Sequence, residues 1–425
     1  MAQPSLIPKS AEFKVRRPKV AGLLLAVFPA STALYALFNG VQSIVLPAQV
    51  QAFDPENKIG NLAILSAVVA LVAMVGSPIG GAVSDRTRSR FGRRSPWLAA
   101  TSIAAAILTI AMNFAANLVV LTVIMSALWL VANIYGGALV AVMPDRVPEQ
   151  RRGLASAVLG ISTPVGVIVG VNIASQSSQV VSYTIFAVAL VVTTAIFLVG
   201  AREKSSMNLP RPPRVTFSLR GLTTGTMAFF SAFRNRDFTL AFASRFFLFL
   251  SYFTVSGYAF FVFQDYIGLE QIPGGDAATA VSTSLSLSIV AWVAVAAITG
   301  PLADKLGRRK LFVGVSAIGL AGSLVIPLIW PTWTGMIVYS LCIGAAIGTY
   351  FAVDLAVMTK VLPNPETAGR DFGILNAATG MPIVLSPLIA AGLISFLGGY
   401  PALFVFGMVA AVVAGILMFR IRSLR

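Results

Sequence analysis

The segment NLAILSAVVALVAMVGSPIGGAVSDRTRSRFGRR, residues 61–94, joins an apolar stretch to an abrupt cluster of charge. From Asn61 to Ser84 there is no ionisable side chain, whereas Asp85, Arg86, Arg88, Arg90, Arg93 and Arg94 crowd the next ten residues. About 20 apolar residues at a rise of about 1.5 Å each suffice for a helix to cross a hydrocarbon core. The pattern returns as AATAVSTSLSLSIVAWVAVAAITGPLADKLGRR, residues 277–309. Gly81-x-x-x-Asp85-Arg86 matches Gly300-x-x-x-Asp304-Lys305, displaced by 219 residues, and each is followed by Gly-Arg-Arg: Gly92, Arg93 and Arg94, then Gly307, Arg308 and Arg309.

Two more correspondences lie further along. Tyr135-x5-Ala141-Val142-Met143 returns as Tyr350-x5-Ala356-Val357-Met358, and Gly153-x-x-x-Ala157-x-x-Gly160 as Gly373-x-x-x-Ala377-x-x-Gly380. Three matches in order at nearly one offset make the chain an internal duplication, and an even number of spans per copy makes the repeat parallel. Glycine at 81 and 300 is expected to let helix backbones approach closely. The acid is expected to cap a helix or pair with an arginine of its own loop, locking that face shut.

Composition carries the pattern through the whole chain. Of 425 residues, 57% are hydrophobic and 11% charged, with mean hydropathy +0.86, which leaves too little polar surface to coat a soluble globule. Apolar runs predict an all-α integral membrane fold of twelve helices, at about 20–50, 60–83, 96–113, 117–143, 153–175, 179–200, 238–264, 277–301, 311–329, 334–359, 372–396 and 400–420. The predicted division is a six-helix half over 1–200, a linker rich in proline and basic residues over 201–237, and a second half over 238–425.

Short turns make neighbouring spans antiparallel, so the connections alternate between two sides. Of 31 Lys and Arg, 29 fall on the side shared by both termini and the even-numbered connections; Lys58 is on the other, and Arg245 lies within the seventh helix. The positive-inside rule places the basic side in the cytoplasm and Asp54, Glu56, Asp265, Glu270 and Asp276 outside. A multi-pass cell-membrane protein with both termini cytoplasmic is the expectation. The basic clusters then serve as topological anchors, and the lipid bilayer, not nucleic acid, is the partner.

The chain has no histidine and one cysteine, Cys342, so imidazole metal sites and intramolecular disulfides are excluded. No Ser–His pair, metal-ligand cluster or nucleotide loop occurs; neither an enzyme nor a cofactor is expected.

The loop motif resembles that of the major facilitator superfamily: glycine, three residues, Asp, a basic residue, then glycine and two basic residues. The second copy matches in full spacing. The first, with its longer insertion before Gly92, resembles the glycoside, pentoside and hexuronide symporters and the sucrose symporters. That resemblance implies two pseudo-symmetric six-helix bundles working by alternating access. Melibiose-type symporters of that group carry acids inside the first, second and fourth helices, and the corresponding spans here carry none, which speaks against sodium coupling by that site. The fifth helix offers Gly160-Ile-Ser-Thr-Pro164-Val-Gly166, a partial match to an antiporter signature.

The resemblance also implies a cavity lined by the first, fourth, seventh and tenth helices with parts of the fifth, eighth and eleventh. Those spans supply Asn39, Gln42, Asn133, Tyr135, Tyr252, Tyr258, Trp292, Tyr350 and Asn376. Amides bond hydroxyls in both senses and aromatic faces cover C–H surfaces, which favours a sugar, glycoside or other small neutral solute. Asp354 is the clearest intramembrane acid; at about 2.5–3.5 kcal/mol for such a charge it needs a partner, a proton or water. Pairing with Arg308 as a gate lock is the expected role, with proton coupling as its rival. The expected function is a monomeric secondary transporter, either uncoupled or coupled to protons. A drug or metabolite exporter and a non-transporting membrane sensor of the same fold are the alternatives.

Overall fold

The computed structural model describes residues 20–208, 232–362 and 368–422. Twelve helices there are long and apolar enough to cross a membrane. They are α1 (Val20–Phe53), α2 (Lys58–Arg86), α3 (Ser95–Phe114), α4 (Leu118–Arg146), α5 (Glu149–Gln176) and α6 (Gln179–Gly200), followed by α7 (Arg236–Ser256), α8 (Ala277–Leu306), α9 (Arg309–Ile329), α10 (Trp333–Lys360), α11 (Arg370–Phe396) and α12 (Tyr400–Phe419).

Local chemistry sets several ends. Asn117, Ser178, Asn235, Asp276 and Thr332 each accept a backbone N–H in the first turn of α4, α6, α7, α8 and α10, satisfying donors that lipid could not. Within α1, residues Val41–Val45 widen into a π turn just before Pro47. The proline ring has no N–H and crowds the carbonyl four residues back, and the wider turn relieves both. Several expected boundaries move, two of them with consequences for the charged residues. α4 continues through Pro144 to Arg146 and carries Asp145 onto its last turn. α7 stops at Ser256, short of the expected 264, and after a break at Gly257 and Tyr258 a π-helical segment runs over Val262–Gly268.

Packing reproduces the duplication. α1 packs on α5 and α6, α2 on α4, and α3 on α4 and α6; six helices on, α7 packs on α11 and α12, α8 on α10, and α9 on α10 and α12. The two bundles meet through α2–α11 and α5–α8, which exchange under the same pseudo-symmetry.

Glycine permits the closest of these contacts. A Cβ on Gly80 would stand 2.3 Å from the Ile134 carbonyl oxygen in α4, and one on Gly348 would stand 2.4 Å from that of Trp292 in α8. Gly166 of the antiporter-like segment, and Gly170 one turn on, serve α1 in the same way. Where lipid tails are as apolar as the helices, such van der Waals contact is a main source of attraction. Leu25, Val119, Val199, Ile329 and Phe396 are exposed on the outside, which only lipid makes tenable.

Candidate functional site

The charged loops form the basic end. Arg94 is buried: its Nε donates to Asp145 Oδ2 at 3.0 Å, its Nη1 to the Gly81 carbonyl at 3.3 Å and to Ser84, and its Nη2 to Asp85. Arg93 also binds Asp145 and lies 3.8 Å from Asp85. Glu203, just past α6, accepts the backbone N–H groups of Arg94 at 2.9 Å and Ser95 at 3.0 Å, capping α3. Gly92 lies under that carboxylate with φ +97°, a turn only glycine takes without strain. In the second copy Arg309 donates to Asp304 at 2.8 Å and Gly307, φ +63°, ends α8. Both acids thus pair with an arginine of their own loop. Arg86, Lys305 and Arg308 are exposed.

The expected close approach at Gly81 and Gly300 is not made in this conformation. A Cβ on Gly81 would meet nothing within 4 Å, and one on Gly300 only the Ala352 Cβ at 4.0 Å. Gly153 and Gly160 of α5, and Gly373 and Gly380 of α11, also face open space. Six of the eight repeated glycines, all but the loop residues Gly92 and Gly307, therefore lie on α2, α5, α8 and α11, the helices that join the bundles, with nothing packed closely against them. The side-chain contacts that join the two bundles lie instead toward their opposite ends.

At that acidic end Lys58 Nζ at the start of α2 donates to Asp265 Oδ1 beyond α7 at 2.9 Å and sits 4.9 Å over the Phe261 ring. Tyr400 donates to the other Asp265 oxygen. Tyr258 donates its hydroxyl to the carbonyls of Ile59 at 3.1 Å and Pro387 at 3.0 Å, again spanning the bundles. In the adjoining turn Asp54 accepts Asn57 N–H, and that bond holds its carboxyl below the usual range. Nearer the middle, Asn172 of α5 donates to Ser286 of α8 at 3.0 Å.

Between the ends, α1, α2 and α4 wall a cavity of about 340 Å³ that Tyr35, Phe38, Ser77 and Asn133 line. The second bundle holds an aromatic cluster: Trp292 stacks on Phe351 with centroids 4.9 Å apart, and buried Phe249 packs against Phe351 and Phe253.

Asp354 does not pair with Arg308. Its carboxylate takes Arg245 Nη1 from α7, deep in the second bundle; Arg245 Nε donates to Thr379 Oγ1 at 2.9 Å, and Nη1 reaches Tyr350 Oη at 3.4 Å and Met358 Sδ at 3.0 Å. Asp354 lies on the face of α10 turned toward α7, whereas Arg308 sits exposed before α9. The sequence carried half of the signal: Arg245 is the lone Lys or Arg inside an apolar span and a buried cation needs a counter-charge, but nothing in the spacing names its partner.

The proposed cavity residues divide. Asn133 lines the first-bundle cavity, its amide donating to Trp129 O at 2.8 Å. Asn39 bonds Tyr35 O, Gln42 lies 3.5 Å from Ser66 Oγ, Asn376 is exposed, and Trp292 stacks on Phe351. Tyr135 instead is wholly buried inside the first bundle against Thr194, Tyr258 belongs to the acidic-end seal, and the Tyr350 hydroxyl is engaged by Arg245. Tyr252 lines a separate pocket within the second bundle. Side chains around an entire helix share its hydropathy signal, so residue type alone does not separate cavity from core. Asp145, Glu203, Lys58 and Asp265 escape a search confined to the spans because they sit at or past helix ends.

The model of the Major Facilitator Superfamily family matches residues 23–364 and 275–425, nearly the whole described chain. The chain belongs to the major facilitator superfamily. This facilitator's fold resembles solved structures of the peptide transporter POT in complex with sulfate (TM-score 0.73, 15% identity, 94% of each chain) and of a D-xylose-proton symporter (TM-score 0.67, 13% identity, 95% of this chain and 98% of that one). It also resembles the nucleoside transporter NupG, with TM-score 0.66 and 15% identity over 94% of this chain and 98% of that one. A segment of 116 residues is 33% identical to the uncharacterized MFS-type transporter YfiU of Bacillus subtilis (strain 168). That match spans 27% of this chain and 22% of that relative's length. The facilitator is a multi-pass transporter rather than an enzyme.

Proposed function

We propose that this facilitator carries a small neutral hydroxylated solute, with sugars and glycosides favoured, by alternating access, and that the conformation described is the one open at the basic end. One contrast carries the reading: Lys58–Asp265 and Tyr258 tie the bundles together at the acidic end, while the six repeated glycines at the other end face open space. In the opposite state Gly81 of α2 would close on Gly373 and Gly380 of α11, and Gly300 of α8 on Gly153 and Gly160 of α5. The 29-of-31 charge bias supports a cytoplasmic basic end, both termini and the 201–237 linker included.

The amide of Asn133 and the ring faces of Trp292 and Phe351 suit hydroxyl groups and C–H surfaces together. Protons are the proposed coupling ion; the Asp354–Arg245 pair is proposed as a structural lock, with proton carriage by Asp354 as the rival role. The dense aromatic cluster of Phe249, Phe253, Trp292 and Phe351 favours amphipathic export as a second reading. Counterflow in proteoliposomes, with sugars, glycosides and cationic dyes as trans solutes, separates the two: counterflow of a sugar or glycoside supports the first reading, and of dyes alone the second.

A further inference from the structure

Hydroxyls inside a membrane bundle ordinarily turn back to a carbonyl of their own helix, because lipid offers them no partner. Thr254 donates to Leu250 O at 2.7 Å, Ser340 to Met336 O at 2.6 Å, and Ser284 meets Ser340. Close beside them Tyr252, Ser256, Ser288 and Tyr339 make no side-chain hydrogen bond among the described residues, although Tyr339 is 94% buried, being 6% exposed. All four line one pocket inside the second bundle, enclosed by residues of α7, α8, α10 and α12 and adjoining the break in α7. It lies within one bundle, apart from the cavity between α1, α2 and α4.

We infer that this pocket is a binding site for a small neutral polyol with a three-carbon skeleton. Its size fits: the volume is about 40 Å³, and at about 10–15 Å³ per water-sized position that is room for about three such positions. Its chemistry fits as well. Four hydroxyls each offer a donor and acceptors, and no ionisable group other than the two tyrosines lines the pocket, so a charged ligand would meet no counter-charge. Phe263, Val281 and Phe404 form apolar walls that water alone would leave wetted and that the CH groups of a polyol cover. Such a ligand would bridge α7 on the α6 side of its break, at Tyr252 and Ser256, to Ser288 on α8 and Tyr339 on α10.

Saturation-transfer NMR on the full chain in nanodiscs, with 1,2-propanediol and glycerol as probes, tests this. Transfer above empty nanodiscs is expected. It should disappear in Ser288→Leu, which fills the pocket, and affinity should fall at least about fivefold when Tyr339→Phe and Ser288→Ala remove two hydrogen-bonding groups. Ala259→Leu fills the same pocket from α7 and replaces Ser288→Leu should circular dichroism show that variant unfolded. No transfer to wild type, or equal transfer to a folded filled variant, overturns the assignment.

Discussion

Arg245 on α7 and Asp354 on α10, 109 residues apart, are joined as an ion pair inside the second bundle. Neither charge has an equivalent in the first bundle, where the motif matching Tyr350-x-x-x-Asp354 reads Tyr135-x-x-x-Leu139. The pair is thus an addition to the duplicated framework, and it ties together two of the helices expected to border the solute path.

Removing one partner leaves the other buried and uncompensated, a loss on the order of 3 kcal/mol. Asp354→Asn should therefore lower thermal stability and impair both proton-driven accumulation and solute exchange, and exchanging the charges, Arg245→Asp with Asp354→Arg, should recover part of both. If Asp354→Asn abolishes accumulation and spares exchange, the residue is a proton carrier and not a lock.

Adjacent glycines should respond oppositely. Gly80→Ala places a Cβ against Ile134 O and should destabilise the protein by about 1–3 kcal/mol. Gly81→Leu projects into open space, so melting should be unchanged while transport fails, because the basic end can no longer close on α11. Wild-type transport by Gly81→Leu would refute the closure.

How far the sequence reached is visible at these same positions. All twelve helices and the duplication were legible, since hydropathy and repeated spacing survive in one dimension. Pairing of each loop acid with an arginine of its own loop was legible as one of two readings, because both partners lie in one loop, though not which arginine. The Arg245–Asp354 pair was not, because its partners come from distant helices and their meeting depends on which face each turns inward. Tyr135 and Asn133, two residues apart on α4, show the same limit: one turns to Thr194 in the core and the other to the cavity. Gly81 adds a different one, since under the proposed closure its contacts form only in the other conformation.

Lys58 and Asp265 form a partly exposed bridge, which typically stabilises by up to about 1 kcal/mol, a population shift of about fivefold. Lys58→Met should raise labelling of Gln42→Cys from the acidic-end side by up to that factor, in a Cys342→Ser background, and high salt should reproduce part of the gain in the parent. Unchanged labelling would remove the bridge from the seal.

Glu203 caps α3 while Gly92 makes room for it. Glu203→Ala should cost about 1 kcal/mol, read as a lower melting temperature. An unchanged melting temperature would show that the α3 end finds another acceptor.

Alternating access is tested most directly by pulsed electron-paramagnetic distance measurements on two spin-label pairs in the Cys342→Ser background, one at Leu154 and Leu302 on the basic ends of α5 and α8, the other at Glu56 and Glu270 at the acidic end. Across the panel of sugars, glycosides and cationic dyes, the transported solute should redistribute both pairs in opposite senses, the basic-end distance shortening as the acidic-end distance lengthens. Two distances that stay fixed with every solute, or that lengthen and shorten together, would contradict the account.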